Sequence, residues 1–290
     1  MLLQTPRARL RRLLHPGGPS PLAGRTVLVT GASSGIGEAT AHAVARRGAS
    51  VLLVARRAEE LARVAEEVTS AGGRATTYVC DLTDPEALDA LVERVLAEHG
   101  VVDYLVNNAG RSIRRSLDLS YDRFHDVERT MAINYFGPVR LTLGLLPAMR
   151  AQGFGHVVNI LSWGVQLKAP KFSAYLASKT ALDTWSRIAA REAYGDNVTF
   201  TNMRFGLVRT AMVAPTEAYD GMPAMSAEDA AARVVRALED RPVVWNIPIG
   251  VAGEVVGLVA PRLMDAVMWR LDQRTSNSAA ASGQVARDRS

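Results

Sequence analysis

Three glycines limit what this chain can fold into. Gly31, Gly35 and Gly37 follow the apolar run Val27 to Thr30 and precede a helix-forming stretch, Ala39 to Arg47, that stops at Gly48. Apolar run, glycine turn and helix in that order open a βαβ unit, in which backbone N–H groups at the helix N-terminus hold a pyrophosphate. The spacing is GxxxGxG, a variant of the commoner GxGxxG, and a glycine turn alone carries little weight. Here a second apolar run, Val51 to Val54, follows where the next parallel strand belongs.

The end of that second strand bears on the cofactor. An acid there would hydrogen-bond the ribose 2′-hydroxyl of NAD, whereas arginine accommodates the 2′-phosphate of NADP. This chain has Ala55-Arg56-Arg57. The expected cofactor is NADP(H), with Arg56 the leading phosphate ligand; the alternative is that these arginines only face solvent. The alternation then continues. A helix spans Ala58 to Ala71, a strand Thr76 to Cys80, and Asp84 caps a helix with Pro85 at its first position. A strand at Tyr104 to Val106, a long helical stretch from Tyr121 to about Met149, the Val157 to Leu161 strand, a helix carrying Tyr175, a strand near Val198 to Met203 and a helix opening at Ser226 follow. Strands alternating with helices mean α/β architecture: a doubly wound parallel sheet, covered on both faces, with ligands at the carboxyl ends of its strands.

Ser162 to Lys179 reads as the chemical centre. Tyr175 and Lys179 are spaced i and i+4, on one face of a helix, and Ser162 ends an apolar strand thirteen residues before the tyrosine. A free phenol has a pKa of about 10; a neighbouring ammonium favours the phenolate and brings it toward the range of general acid–base catalysis. The serine can then hold a carbonyl oxygen that gains charge while the tyrosine protonates it. The spacing YxxxK also arises by chance on amphipathic helices, so its meaning depends on the motifs around it.

With 290 residues the chain suits one large α/β domain, expected over 22–271. The net charge of +5 owes four units to Arg7, Arg9, Arg11 and Arg12, so the body is nearly neutral and nothing argues for nucleic acid. One cysteine, Cys80, allows no disulfide framework and no cysteine zinc site, and no metal site is expected. This, and the lack of a signal-like apolar leader, fits a reducing cytosol, so a cytoplasmic location is expected, in which the Asn197-Val198-Thr199 sequon would have no consequence. Residues 1–21 read as a basic arm and linker, either a solvated tail or a contact to an anionic membrane surface. Residues 272–290 read as a polar, disordered tail.

Together TGASSGIG at 30 to 37, Asp81, NNAG at 107 to 110, Asn134, Ser162 and YLASK at 175 to 179 resemble the short-chain dehydrogenase/reductase family, with the match running from about Leu22 to Thr210. The resemblance implies a Rossmann fold with Asn134, Ser162, Tyr175 and Lys179 as catalytic set, Asn134 anchoring a water that relays protons to Lys179. It assigns the cofactor to Gly31, Ser33, Ser34, Gly35, Ile36, Gly37, Arg56, Asp81, Asn107, Ala109, Gly110, Tyr175, Lys179 and Thr210. Asp81 would contact the adenine, Asn107 would brace the cofactor loop, and Thr210 would reach the nicotinamide amide. A homodimer or homotetramer, packed through the helices of Asn134 and Tyr175, is implied by the same analogy.

Narrower blocks, NNAGRSIRRS, DRFHDVERTM, NYFG, FSAYLASKTALD and LVRTAMVAPT, are similar to bacterial fatty acyl-CoA reductases of this family. They imply an acyl-CoA substrate reduced to fatty aldehyde; a ketone or aldehyde reductase, or an alcohol dehydrogenase, on an apolar or lipid-like substrate is the alternative. A non-catalytic NADP-binding regulatory protein is a third reading that the intact Asn134, Ser162, Tyr175 and Lys179 set argues against. Arg111, Arg114 and Arg115 are candidate ligands of the CoA phosphates, with a solvated loop as the other reading. Two departures stand out: Phe205-Gly206 replaces the family's Pro-Gly or Met-Pro, and Trp163 follows the serine where a smaller residue is usual. Trp163 and Met212 are candidate substrate contacts. Val213 to Met225 is expected to be a mobile segment over the substrate. Val243 to Ala260 reads as a seventh strand and a greasy helix, continued by Leu263, Val267 and Leu271 after Pro261, and suited to subunit packing or peripheral membrane contact.

Overall fold

The structure, a computed structural model, describes residue 14 and residues 18–213 and 221–273. Most of the basic arm, the centre of the Val213–Met225 segment and the tail beyond Gln273 lie outside the described residues. In chain order the elements are β1 (Thr26–Thr30), α1 (Gly35–Ala45), β2 (Ser50–Ala55), α2 (Ala58–Ser70), β3 (Arg74–Val79), α3 (Pro85–His99), β4 (Tyr104–Asn107), α4 (Phe124–Met131), α5 (Gly137–Ala151), β5 (Gly155–Ser162), α6 (Gly164–Leu167), α7 (Ser173–Glu192), β6 (Val198–Phe205), α8 (Ala227–Asp240), β7 (Val244–Trp245), α9 (Pro248–Val259) and α10 (Pro261–Gln273). The seven strands form one sheet in the order β3-β2-β1-β4-β5-β6-β7, every pair parallel. The order reverses direction between β1 and β4, the crevice where such sheets bind ligands.

Continuous apolar strands are what a sheet covered on both faces requires. Val27 and Val29 of β1 pack with Ala41 and Val44 of α1 and Val234 and Leu238 of α8. Leu28, between them, points the other way into a layer with Leu88 and Leu91 of α3 and Leu141 and Leu145 of α5. Truncating one of these leucines to alanine costs about 2–5 kcal/mol. Helix starts follow the expected chemistry: Asp84 accepts from the N–H groups of Glu86 at 3.0 Å and Ala87 at 3.1 Å, and Ser226 accepts from Asp229 N–H at 3.0 Å.

Two element boundaries differ from the sequence reading. Helix α1 begins at Gly35, inside the glycine turn, because packing overrides the low helix propensity of glycine. The expected helix from Tyr121 begins only at Phe124 and is interrupted by a π-helical turn, Ala132–Phe136, before α5. Pro138 has no N–H to return to the carbonyl of Asn134 four residues earlier, so the ladder widens there. The wide turn buries Asn134 completely.

Candidate active site

The carboxyl ends of β1 to β5 carry Gly31, Arg56, Asp81, Asn107 and Ser162 within two residues of the last strand residue, and Thr210 lies five residues beyond the end of β6. Gly31 and Gly35 take φ of 65° and 58°, backbone that a side chain disfavours. Each glycine also marks a close approach. A Cβ on Gly37 would collide with the carbonyl of Gly31 and with Asn108 Nδ2, and one on Gly35 would lie 3.1 Å from Thr210 Cγ2. The turn is therefore a bare backbone cradle at the start of α1, with Thr210 at its rim.

Asn107 does not brace this cradle. Its side chain points under the sheet, donating to Thr142 Oγ1 at 3.2 Å and Asn159 Oδ1 at 3.0 Å, and Asn159 in turn donates to Asn202 Oδ1 at 3.0 Å. These three amides sit opposite one another on β4, β5 and β6, all buried. The bracing falls to the next residue: Asn108 Nδ2 donates to the carbonyl of Thr30 at 2.9 Å, and the N–H groups of Asn108 and Ala109 both donate to Thr30 Oγ1 at 3.0 Å. Sequence alone cannot separate adjacent asparagines; the end of the strand does, since β4 stops at Asn107 and the chain turns there, with the Asn108 N–H donating to the Val106 carbonyl at 3.0 Å.

Arg56 is 73% exposed at the end of β2, with Nη1 3.6 Å from Asp81 Oδ2. Arg57 instead reaches back to the glycine turn, donating to the carbonyl of Ser33 at 3.2 Å and to its Oγ at 3.1 Å. Partial burial would raise the Asp81 carboxyl, but the N–H and hydroxyl of Thr83, with Arg56, outweigh it and hold the group below its ordinary range. Burial and the charge of Arg129 push the Arg111 guanidinium down, and Arg56 adds to that push. The like charges of Arg56, Arg111 and Arg129 are thus near enough to oppose one another, and Arg129 was not singled out in the sequence.

The four catalytic candidates lie at the end of β5 (Ser162), on α7 (Tyr175 and Lys179) and in the π turn (Asn134). Lys179 is 4% exposed and donates to the carbonyl of Ile160 at 2.9 Å. Desolvation lowers its ammonium to about 8. Asn134 Oδ1 accepts from Arg111 N–H at 2.9 Å, while Nδ2 donates to the Arg111 carbonyl at 2.9 Å and to Ser178 Oγ at 3.0 Å. Ser178, also missed in the sequence, donates to the Tyr175 carbonyl at 2.7 Å and so ties the π turn to the catalytic helix. Gly110 separates the parts: a Cβ there would lie 2.8 Å from Asn134 Oδ1 and 3.2 Å from Lys179 Nζ. Ser162 Oγ accepts from Gly164 N–H at 3.1 Å, and the ring of Tyr175 lies 6.2 Å from that of Phe172.

On the substrate side the three arginines part company. Arg111 stays exposed, Arg114 lies 6.0 Å over the Phe172 ring, and Arg115 is turned inward against Asp126 at 3.1 Å. Arg115 is therefore part of the scaffold and drops out as a phosphate ligand. Trp163 is half-buried, its N–H on the carbonyl of Phe205 at 2.8 Å, and Met212 is exposed. Cys80 is buried, and burial with Asp81 and Asp84 pushes its thiol up to about 11, which suits no nucleophile. Away from the site, Glu38, His42 and Glu67 lie close together, but Arg63 pairs with Glu38 at 2.9 Å and Glu67 at 2.8 Å, an ion-pair network.

The chain is similar to known proteins in both sequence and fold. The profile of the short chain dehydrogenases matches residues 25–220. An uncharacterised oxidoreductase of Mycobacterium tuberculosis is 46% identical over 263 residues, 90% of this chain and 77% of that one. A fatty acyl-CoA reductase of the same organism is 47% identical over 257 residues, 88% of this chain and 87% of that one. Among solved structures, an NADP-bound 3-oxoacyl-(acyl-carrier-protein) reductase from Agrobacterium tumefaciens superposes with a TM-score of 0.68 at 33% identity, covering 74% of this chain and 87% of that one. A profile match across most of the chain, on a sheet whose strand ends gather the expected residues, means that this protein is an oxidoreductase belonging to the short-chain dehydrogenases.

Proposed function

We propose that the protein is an NADPH-dependent reductase of long-chain acyl-CoA, giving the fatty aldehyde. The observation that carries this reading is the 47% identity, over most of both chains, to a protein named as a fatty acyl-CoA reductase, combined with a buried Lys179 beside Tyr175. The cofactor fits the residues present. The bare cradle at Gly31, Gly35 and Gly37 takes a pyrophosphate, and Arg56 and Arg57 stand at the end of β2, where a 2′-phosphate would be met. When bound, the nicotinamide supplies hydride to the carbonyl carbon.

Everything else is done by the chain. Ser162 Oγ and the Tyr175 hydroxyl hold the substrate oxygen as it gains charge, and Tyr175 gives it a proton. Lys179, still mostly protonated at pH 7, favours the resulting phenolate. Asn134, clamped through both its side-chain atoms to Arg111, fixes the far side of the same space. From a thioester the hemithioacetal then collapses: its hydroxyl proton returns to the Tyr175 phenolate, the C=O bond re-forms and the C–S bond breaks with loss of the CoA thiolate, so no acyl-enzyme is required. Arg111 and Arg129 offer charge to the CoA phosphates. The exposed Phe136, Leu143 and Ile188 supply apolar surface for subunit packing around α5 and α7. Among the described residues no helix is long and apolar enough to cross a membrane.

The same four residues serve a ketone or aldehyde equally well, and the resemblance to a 3-oxoacyl reductase keeps that second reading in play. NADPH oxidation with palmitoyl-CoA, hexadecanal and a ketone panel, with free thiol scored separately, decides between them. Thiol release that depends on Tyr175 supports the acyl-CoA reading; ketone turnover without thiol release rejects it.

A further inference from the structure

The C-terminal helix pair α9–α10 adds no strand to the sheet, yet it grips the segment between Ser162 and Tyr175 at two points. After α6 the chain turns through Lys168 and Lys171, whose φ values are 53° and 67°. Non-glycine residues in this left-handed region are strained and persist only where their surroundings hold them. The first hold is on α6. Gln166 Nε2 donates to Glu254 Oε2 at 2.7 Å, Glu254 also lies 3.6 Å from Arg204, and Gly253 lets α9 close onto Leu167 so tightly that any side chain there would overlap it.

The second hold is on the strained turn itself. Lys171 Nζ lies 2.9 Å from Asp272 Oδ1 and donates to the Asp272 carbonyl at 3.1 Å, with its side chain only 7% exposed. From the other side the carbonyl of Lys171 accepts the N–H of Arg115 at 2.7 Å, and Arg115 is anchored on Asp126. Asp272, expected to begin a disordered tail, is thus the penultimate residue of α10 and faces the catalytic segment. Lys171 lines a groove of about 220 Å³ with Ile113, Leu117, Tyr121 and Phe124, beside the first turn of α7.

We propose that the Lys171–Asp272 pair is a latch through which the C-terminal helix positions Tyr175, so that Lys171 and Asp272 are positioning residues for the reaction. Lys171 lies four residues before Tyr175 and two before the start of α7. Released from Asp272, the turn relaxes toward ordinary backbone and carries the first turn of α7, with Tyr175, away from Ser162 on β5. Lys179 lies one turn further in and is held separately by Ile160, so the cofactor side is spared. The proposal rests on the reading of this site as a carbonyl reductase.

The test uses the full-length protein with bound NADPH, as wild type, Asp272→Asn, Asp272→Glu, Lys171→Met and Lys171→Arg. Expected are a tenfold or greater loss of kcat on palmitoyl-CoA in Asp272→Asn and Lys171→Met, an NADPH Kd within twofold of wild type, and at least threefold recovery of kcat in Asp272→Glu and Lys171→Arg. Backbone hydrogen exchange over residues 164–173 should quicken in the first two variants while that of β1 to β3 stays unchanged. Wild-type kcat and exchange in Asp272→Asn, or loss of NADPH binding in step with kcat, overturn the latch. If wild type turns over no acyl-CoA, the acyl-CoA reading fails, and the exchange data still decide the latch.

Discussion

Replacing Lys179 by methionine should abolish turnover and yet make the cofactor-free protein more stable at neutral pH. Burial lowers the lysine from its ordinary 10.5 to about 8. At 1.36 kcal/mol per pH unit that shift corresponds to about 3 kcal/mol, the cost of keeping the ammonium away from water at pH 7. The unfolded chain keeps its proton up to 10.5 while the folded protein releases it near 8. Between these values the unfolded state binds more protons, so wild-type stability rises with pH there. Below 8 the full penalty stands; above 10.5 it has gone. Methionine fills a similar volume without charge but gives up the bond to the Ile160 carbonyl, a loss of about 1 kcal/mol. The net expectation is a variant about 2 kcal/mol more stable at pH 7, with the gap closing to near zero by pH 9.5. Urea unfolding of both proteins at the two pH values measures this, and NADPH oxidation should fall about 10²-fold or more. A variant less stable than wild type at pH 7, or a gap that ignores pH, would refute the reasoning.

Gly110→Ala should push Asn134 and Lys179 apart and lower kcat tenfold or more while NADPH binding changes only a few-fold, as read by fluorescence titration and steady-state kinetics. Asn159→Ala breaks the amide ladder between Asn107 and Asn202; with about 1–3 kcal/mol for each buried group left short of a partner, a loss of 2–4 kcal/mol in urea unfolding is expected, and one below 1 kcal/mol would contradict it. Converting Arg56 and Arg57 together to Asp and Ala should move the NADPH/NADH preference toward NADH by tenfold or more, measured as the ratio of kcat/KM values. Arg111→Ala should raise KM for palmitoyl-CoA but not for hexadecanal, whereas Arg115→Ala, which leaves the buried Asp126 carboxylate with only the more distant Arg123 and His125 at 3.5 Å, should reduce thermal stability and affect both substrates alike.

The alternation of apolar runs with helical stretches, the glycine turn and the YxxxK spacing were enough to predict a doubly wound parallel sheet and a proton-transfer site at its carboxyl edge. These features are legible because each rests on local physics: strand and helix periods, the conformational freedom of glycine and the acidity of a phenol near an ammonium. Chain order also sufficed to place Asp84 and Ser226 as caps. What the sequence left open depended on which way a side chain turns. Asn107 and Asn108 are adjacent and identical, yet one joins a ladder under the sheet and the other braces the glycine turn, because β4 ends at Asn107 and the chain turns there. Arg115 reads like Arg111 until Asp126, eleven residues later, is seen to hold it inward.

The sequence by itself determined the fold, which follows from spacing along one chain, and through a family resemblance it nominated the catalytic set. Only the tertiary structure decided that Asn134 is presented by a π turn, that Ser178 ties that turn to the tyrosine helix, and that Asp272 reaches Lys171 across 101 residues. Contacts between distant segments leave no periodic trace in a single sequence; they exist only once the sheet has brought its strand ends together.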